Sequence, residues 1–432
     1  MPQSSRPGGN DARQGQAGEK SALHGYRVLD LAQGGFCVCG RMLGDLGADV
    51  IKIEPPGGDE TRRLGPFVDN TPDAEKSLFW YFYNANKRGV TLNLESADGR
   101  AVFEEMARRA DIVVESFTPG RMEALGLGYA RLQAINPRLI MTSVTYFGQE
   151  GPKSRYEATD LTAWAASGAL YINGEPGREP LDVGYHHQAS LSGGAEGATA
   201  TLIALLGREA GGEGQHIDVS AQESSLQITG YSPEYWMALG IDLQRVGTSW
   251  PTSGGVARRL VFGCKDGHVC FTVQGGTEGI AKSMDGLVRW MQQDGACPDW
   301  LARYAWNRDY DAAHITLEET LRLEQPFVDF LLTKTKEEIF EKAAAHSIFL
   351  APVASPSDVA HNKHMRQRGF WEEVEHPELG RTLTYPGPFA QMSATPPKIR
   401  RRAPLIGEHN REIFAGEMGM TDERLRAAGA IS

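Results

Sequence analysis

The sequence lacks two features: an apolar run long enough to cross a bilayer, and a surplus of positive charge. No stretch of about 18 apolar residues occurs in its 432 residues, so the pattern predicts no spanning helix. The 44 Lys and Arg against 55 Asp and Glu give a formal net charge of −11. Nucleic-acid binding needs clustered Lys and Arg. We therefore expect neither a membrane nor a nucleic acid among the partners.

Cysteine is also scarce. The five cysteines are odd in number, and their spacing fits neither a disulfide framework nor a zinc site. We therefore expect a reducing, cytoplasmic environment and no bound metal. The first twenty residues are rich in Gly, Gln and Ser and contain no apolar core like that of a signal peptide. We interpret residues 1–22 as a disordered tail.

Short apolar runs alternate with helical patterns from residue 26 onward. Strands are predicted at Arg27–Leu31, Val50–Glu54, Asp111–Glu115 and Leu139–Ser143, with helical spacing between them. Strands that alternate with helices predict βαβ units with right-handed crossovers. The expected fold class is therefore α/β with a parallel sheet.

The texture changes after Ser220, where aromatic residues become frequent. Val261–Cys264 and His268–Val273 flank an Asp266-Gly267 pair, a strong signal for a β-hairpin. We predict a small α+β domain over 225–345, with a large domain over 23–224 and 346–432. Before it, a helix predicted over 189–210 is crowded with Gly, Ala and Ser. That pattern fits either close internal packing or a subunit contact.

Several short sequence motifs occur in this chain in the same order as in one protein family. They include Leu46-Gly-Ala-Asp-Val-Ile-Lys-Ile-Glu-Pro-Pro-Gly-Gly58, Asn84-Ala-Asn-Lys-Arg-Gly-Val-Thr-Leu-Asn-Leu94, Asp111-Ile-Val-Val-Glu-Ser-Phe-Thr-Pro-Gly-Arg121 and Gly212-Glu-Gly-Gln-His-Ile-Asp-Val-Ser220. Each word alone is weak, but the ordered set spans about 26–410. The chain resembles the class III CoA-transferases, the group that includes formyl-CoA and carnitine CoA-transferases.

The resemblance implies a Rossmann-like large domain, a smaller domain and two interlocked subunits. It implies coenzyme A as a substrate, with no prosthetic group, and an acyl-CoA and a carboxylic acid as partners. The implied activity is transfer of CoA between carboxylic acids. Either a homodimer or a heterodimer with a related subunit is compatible with it.

Residues of the large domain match the family's CoA-contacting segments. Cationic side chains suit the phosphates, and a Gly-rich turn lets the backbone approach the pantetheine arm. A Lys-Arg pair is otherwise often a solvated face, and a Phe after a strand is often core. The family's Arg after Pro119-Gly120 falls on Ala124, and Arg121 lies one turn earlier. The implied CoA-binding residues are Gln33, Gly34, Lys87, Arg88, Ser116, Phe117 and Arg121.

The family's nucleophile is an Asp whose carboxylate attacks the thioester and becomes an enzyme-bound CoA thioester. Aligned without gaps, its position here is Gly177, within Asn173-Gly-Glu-Pro-Gly-Arg-Glu-Pro180. Glycine has no side chain to attack a thioester. Nearby carboxylates are the candidate substitutes: Asp160, Glu175, Glu179 and Asp182. Asp160 has a second interpretation, as a helix-capping residue.

Two alternatives follow from the missing carboxylate. The chain is either a non-catalytic partner subunit of a heteromeric transferase or, less in keeping with the residues, an acyl-CoA racemase. The racemase cousins' catalytic His and Asp positions are Thr159 and Ala189 here. The segment Gln274–Gly279 resembles the family's Gly-rich active-site loop, which would place Gly275 and Gly276 at the site.

Overall fold

The computed structural model describes residues 21–184, 187–230 and 232–431. They fall into two compact units. The first comprises residues 21–170, 182–184, 187–230 and 364–431, and the second Tyr171–Leu181 and Ser232–Lys363. Residues 1–20, which hold most of the predicted tail, lie outside the described residues. The domain bounds predicted from the sequence stay a prediction.

A six-stranded parallel sheet forms the centre of the first unit. Its strands, in chain order, are β1 (Arg27–Leu31), β2 (Asp49–Glu54), β3 (Lys87–Thr91), β4 (Ile112–Glu115), β5 (Ile140–Thr145) and β6 (His216–Ser220). Their spatial order is β3-β2-β1-β4-β5-β6. This is the Rossmann order, so the α/β prediction is confirmed.

Helices connect and cover these strands. They are α1 (Val38–Asp45), α2 (Leu78–Asn84), α3 (Ala97–Ala107), α4 (Arg121–Ala124), α5 (Tyr129–Ile135), α6 (Asp160–Ala166), α7 (Gln188–Glu209) and α8 (Ala221–Ile228). Successive strand residues point to opposite faces. Leu29 packs with Phe103 and Leu132 on one face, and Val28 packs with Leu43 and Ala198 on the other. The sheet is thus covered on both faces, as parallel sheets usually are.

The glycines of α7 explain why this helix packs so closely. A Cβ on Gly194 would meet Val38, and one on Gly197 would lie 2.8 Å from the Val144 side chain. These small residues therefore serve packing inside the first unit.

The second unit carries two small antiparallel sheets. One pairs β7 (Ser249–Pro251) with β8 (Ala257–Arg259); the other, in the order β11-β10-β9, joins β9 (Val261–Cys264), β10 (Gly267–Phe271) and β11 (Leu350–Pro352). The predicted hairpin is confirmed by the β9–β10 pairing. The helices are α9 (Ser232–Leu239), α10 (Glu278–Gln293), α11 (Asp299–Ala302), α12 (Leu317–Leu331), α13 (Lys336–His346) and α14 (Pro356–Ala360).

The chain then passes α15 (Lys363–Gln367) and forms an antiparallel hairpin of β12 (Trp371–His376) and β13 (Arg381–Pro386). A π-helix at Arg411–Glu417 and α16 (Asp422–Ala427) follow. Ile413 and Phe414 lie in the same core cluster as Leu29, so this end completes the first unit. Within the described ranges, no helix is both long and apolar enough to cross a membrane.

Candidate functional site

The sheet has one topological switch point, between β1 and β4. The chain runs from β1 outward to β3 and then returns to the other side of β1, so Leu31 pairs with Glu115 at the carboxyl ends. Ligands of open α/β sheets bind outside the carboxyl ends at such a point. The turns that follow the two strands meet there, because the backbone N–H of Gln33 donates to Ser116 Oγ at 2.8 Å.

Buried charges hold the turn after β1 in place. The backbone N–H of Ala32 donates to Asp30 Oδ1 at 2.9 Å, and the Lys52 ammonium donates to the Ala32 carbonyl. Lys87 Nζ pairs with Asp30 Oδ2 at 2.6 Å, and both side chains are fully buried. Lys87 also donates to the carbonyl of Cys37 at 2.8 Å. The main chain of the turn is thus held at Ala32 and Cys37 by acidic and basic side chains inside the first unit.

Two glycines allow this arrangement. A Cβ on Gly40 would collide with the Asp30 carboxylate, and a Cβ on Gly35 would collide with Ser190 Oγ. Gly34, between them and Gln33, has a φ of +59°, which favours glycine. The Gly-rich turn therefore brings main chain close to the buried charges and to the beginning of α7.

The turn after β4 is held by Glu115. Its Oε2 accepts the backbone N–H of Phe117 at 2.7 Å, and the side chain is 2% exposed. Burial raises the pKa of Glu115 to about 7, although its hydrogen bonds with Ser143 and Phe117 favour the charged form. Phe117 is half-buried and packs against the core beside this sheet edge.

Each of the three predicted cations pairs with a carboxylate of this chain. Arg88 is near the amino end of β3 and pairs with Asp49 at 2.7 Å, Glu412 at 2.7 Å and Glu417 at 2.5 Å. Lys87 is enclosed with Asp30. Arg121 opens α4 close to the Phe117 turn and contacts the exposed Glu95. Arg121 is therefore the predicted cation nearest in sequence to the switch-point turns, and phosphate contacts for all three stay a prediction.

Gly177 lies in an exposed loop of the second unit. The loop is closed by the N–H of Leu181 donating to the carbonyl of Asn173 at 3.0 Å. Gly177 has a φ of +73°, and nothing lies within 4 Å of where its Cβ would be. Glu175 and Glu179 are both exposed, and the Glu175 carboxylate lies beside Gly247. The position predicted for the family's nucleophile is thus a glycine with open space around its Cα.

Asp160 and Asp182 belong to the first unit. Asp160 accepts the backbone N–H groups of Ala189 at 3.1 Å and Ser190 at 2.7 Å, and the Ser190 hydroxyl at 2.7 Å. Its carboxylate therefore caps the N-terminus of α7, where a negative charge is favourable. Asp182 is exposed.

The Gly-rich loop of the second unit begins at a tight contact. A Cβ on Gly275 would collide with the carbonyl of Trp306, which also accepts the N–H of Gly276 at 3.1 Å. Gly276 has a φ of +109° and is exposed. The loop is thus anchored at Gly275 and presents Gly276 to solvent.

Asp30, Lys52 and Glu115 are not among the site residues predicted from the sequence. Their signal was present: each is an ionisable residue inside a short apolar strand, and such residues are almost never fully buried unless paired. Among the described residues, no group of three or more His, Cys, Asp or Glu is placed to hold a metal ion.

Comparison with known proteins adds the family. Residues 23–410 match the family described as CoA-transferase family III. The chain is 33% identical to the succinyl-CoA:(R)-benzylsuccinate CoA-transferase subunit BbsE of Thauera aromatica, covering 94% of this chain and 97% of that one. It is 32% identical to the succinyl-CoA–L-malate CoA-transferase beta subunit of Chloroflexus aurantiacus, covering 93% and 96%. A crystal structure of a CAIB/BAIF family protein from Brucella suis matches with a TM-score of 0.78 at 25% identity, covering 92% and 100%.

Proposed function

The chain belongs to CoA-transferase family III, and from this membership we propose that it holds the CoA thioester while a related second chain supplies the attacking carboxylate. The family confirms the resemblance seen in the sequence words. Its members are transferases that use coenzyme A as a substrate, with an acyl-CoA and a carboxylic acid as the reacting pair. The division of labour between two chains is the part we propose.

Gly177 is the observation that carries the proposal. A carboxylate nucleophile needs a side chain at the position from which the family's Asp attacks. Here the position is a glycine with a left-handed backbone and open space around it. The arrangement keeps room for a reacting group and lacks the group itself.

The neighbouring carboxylates support the same conclusion. Asp160 already accepts three hydrogen bonds at the beginning of α7. Glu175 is exposed, and its carboxylate lies beside Gly247 of the second unit. Glu179 and Asp182 are exposed, on either side of the boundary between the two units. We infer that none of these four serves as the nucleophile.

The names of two relatives agree with a heteromer. Both the Thauera aromatica and the Chloroflexus aurantiacus proteins are named as subunits, and both names begin with succinyl-CoA. We propose a heteromeric enzyme, with succinyl-CoA as the first donor to test. The nucleotide of CoA would lie at the β1–β4 switch point, beside Gln33, Ser116 and Phe117, in the large domain of 23–224 and 346–432.

The test compares the chain alone with a reconstituted pair. The purified chain is first assayed alone with succinyl-CoA and a panel of carboxylic acids. It is then mixed with a related chain of the same family that has Asp at the position aligned with Gly177. We expect CoA binding by the chain alone and transfer only by the pair. Full transfer by a pure homo-oligomer of this chain would overturn the proposal and favour one of the candidate carboxylates.

A further inference from the structure

We propose that Glu115 is a positioning residue for the nucleotide part of CoA, because its ionised carboxylate holds the main chain of Phe117 at the switch point. The inference deepens the proposed function and rests on it. Glu115 does not touch the ligand in this account; it acts through the turn that follows β4.

Geometry carries the assignment. Glu115 is the last residue of β4 and pairs with Leu31, the last residue of β1. Its Oε2 accepts the Phe117 N–H at 2.7 Å. Between them, Ser116 accepts the Gln33 N–H at 2.8 Å. One carboxylate thus holds the turn that joins both strand ends, and the resemblance implies that Ser116 and Phe117 of this turn bind CoA.

The surroundings of Glu115 make its charge state sensitive to pH. Ser143 on β5 hydrogen-bonds the carboxylate and favours its charged form. Glu123 on α4 and Asp218 on β6 are the neighbouring acids that raise its pKa further. His216 Nε2 lies 2.9 Å from Ser143 Oγ. Among the described residues, no cation forms an ion pair with the Glu115 carboxylate, whereas Lys87 pairs with Asp30.

Protonation changes the strength of the hold. A carboxylate accepts the Phe117 N–H through a charge-assisted hydrogen bond, roughly twice as strong as a neutral one. Protonated Glu115 keeps only a neutral acceptor. We therefore expect nucleotide affinity to fall as pH drops through the titration of Glu115, by about fivefold.

The experiment measures binding by calorimetry on the full chain, so it needs no partner subunit. Acetyl-CoA and the nucleotide fragment adenosine 3′,5′-bisphosphate are titrated between pH 6 and pH 8.5 into the wild type, Glu115→Gln and Glu104→Gln. The last is a matched carboxylate-to-amide control, since Glu104 pairs with the exposed Arg131. Circular dichroism checks that each variant folds.

At low pH we expect the affinity of the wild type and of Glu104→Gln for both ligands to fall by about fivefold more than that of Glu115→Gln. Subtracting the Glu115→Gln profile removes the titration of the ligand phosphates. Ser143→Ala should move the midpoint of the affinity's pH dependence to higher pH, because the Ser143 hydrogen bond favours the charged form of Glu115. If Glu115 had a purely structural role, this midpoint would not move.

The outcomes separate the two proposals. No acetyl-CoA binding by the wild type would contradict the proposed function and this inference with it. Binding by the wild type with the same pH profile in Glu115→Gln would overturn this inference alone. A pH effect seen with acetyl-CoA and absent with the nucleotide fragment would also overturn it, because the assignment is to the nucleotide.

Discussion

The backbone N–H of Gln33 donates to the hydroxyl of Ser116 across 2.8 Å, which joins the turn after β1 to the turn after β4. The two residues are 83 positions apart in the chain. They meet because β1 and β4 are neighbours at the point where the strand order reverses. Ligand-binding turns in this fold are positioned by that reversal.

Ser116→Ala tests this link. Loss of one hydrogen bond costs about 1 kcal/mol, so we expect acetyl-CoA to bind about fivefold more weakly with little change in thermal stability. Titration calorimetry measures the affinity. Ser154→Ala is the control, since its hydroxyl donates to the nearby Gly151 carbonyl within an exposed turn. Equal weakening in both variants would contradict a specific role for the link.

Lys87→Met tests the buried ion pair with Asp30. Removing one partner leaves an uncompensated buried charge, and we expect a loss of about 3–5 kcal/mol. Denaturant unfolding measures it. Lys153→Met, at an exposed lysine, should change stability little, and adding Asp30→Asn to Lys87→Met should recover part of the loss. A stability unchanged by Lys87→Met would show that the pair does not hold the β1 turn.

Glu115→Gln also predicts a change in how stability depends on pH. The pKa of Glu115 is about 7 in the folded chain against an ordinary 4.5. Between these values the folded state retains a proton that the unfolded state releases, so stability falls as pH rises from 4.5 to 7 and levels off above. Glu115 thereby lowers the free energy of unfolding by about 3 kcal/mol over this pH range. Thermal unfolding of the variant should lack this fall; parallel wild-type and variant profiles would contradict the assignment.

Gly177→Asp tests whether the slot needs only a carboxylate. The left-handed backbone costs roughly 1 kcal/mol for a side chain, and Asp tolerates it better than most residues. We expect the variant to fold and to transfer CoA from succinyl-CoA to an added acid. Gly177→Ala has the strain without the carboxylate and should stay inactive. Activity in the Ala variant as well would contradict the role given to the slot.

Much of the first unit could be predicted from local patterns. Runs such as Arg27–Leu31 and Asp111–Glu115 are short, apolar and bounded by turns, and each became a strand with ends within a residue. In the second unit, the capping box of Thr335 and Glu338 begins α13 and is also a local sequence pattern. Local chemistry determines these features, so the sequence is sufficient for them.

The charged interior could not be predicted in the same way. Arg88 pairs with Glu412 and Glu417, more than 300 residues along the chain. Asp30 and Lys87 pair because their strands both flank β2. Such pairs depend on tertiary contacts that no local pattern encodes. The family motifs predicted CoA as the ligand, but they did not predict these ion pairs.

The most direct test of the account is a chemical trap on the chain alone. The purified wild type is incubated with succinyl-CoA and treated with borohydride or hydroxylamine, and modified carboxylates are mapped by mass spectrometry. We expect the chain to bind CoA and to yield no modified Asp or Glu, and the partner chain to be modified once it is added. A modified Asp160, Glu175, Glu179 or Asp182 in the chain alone would contradict it.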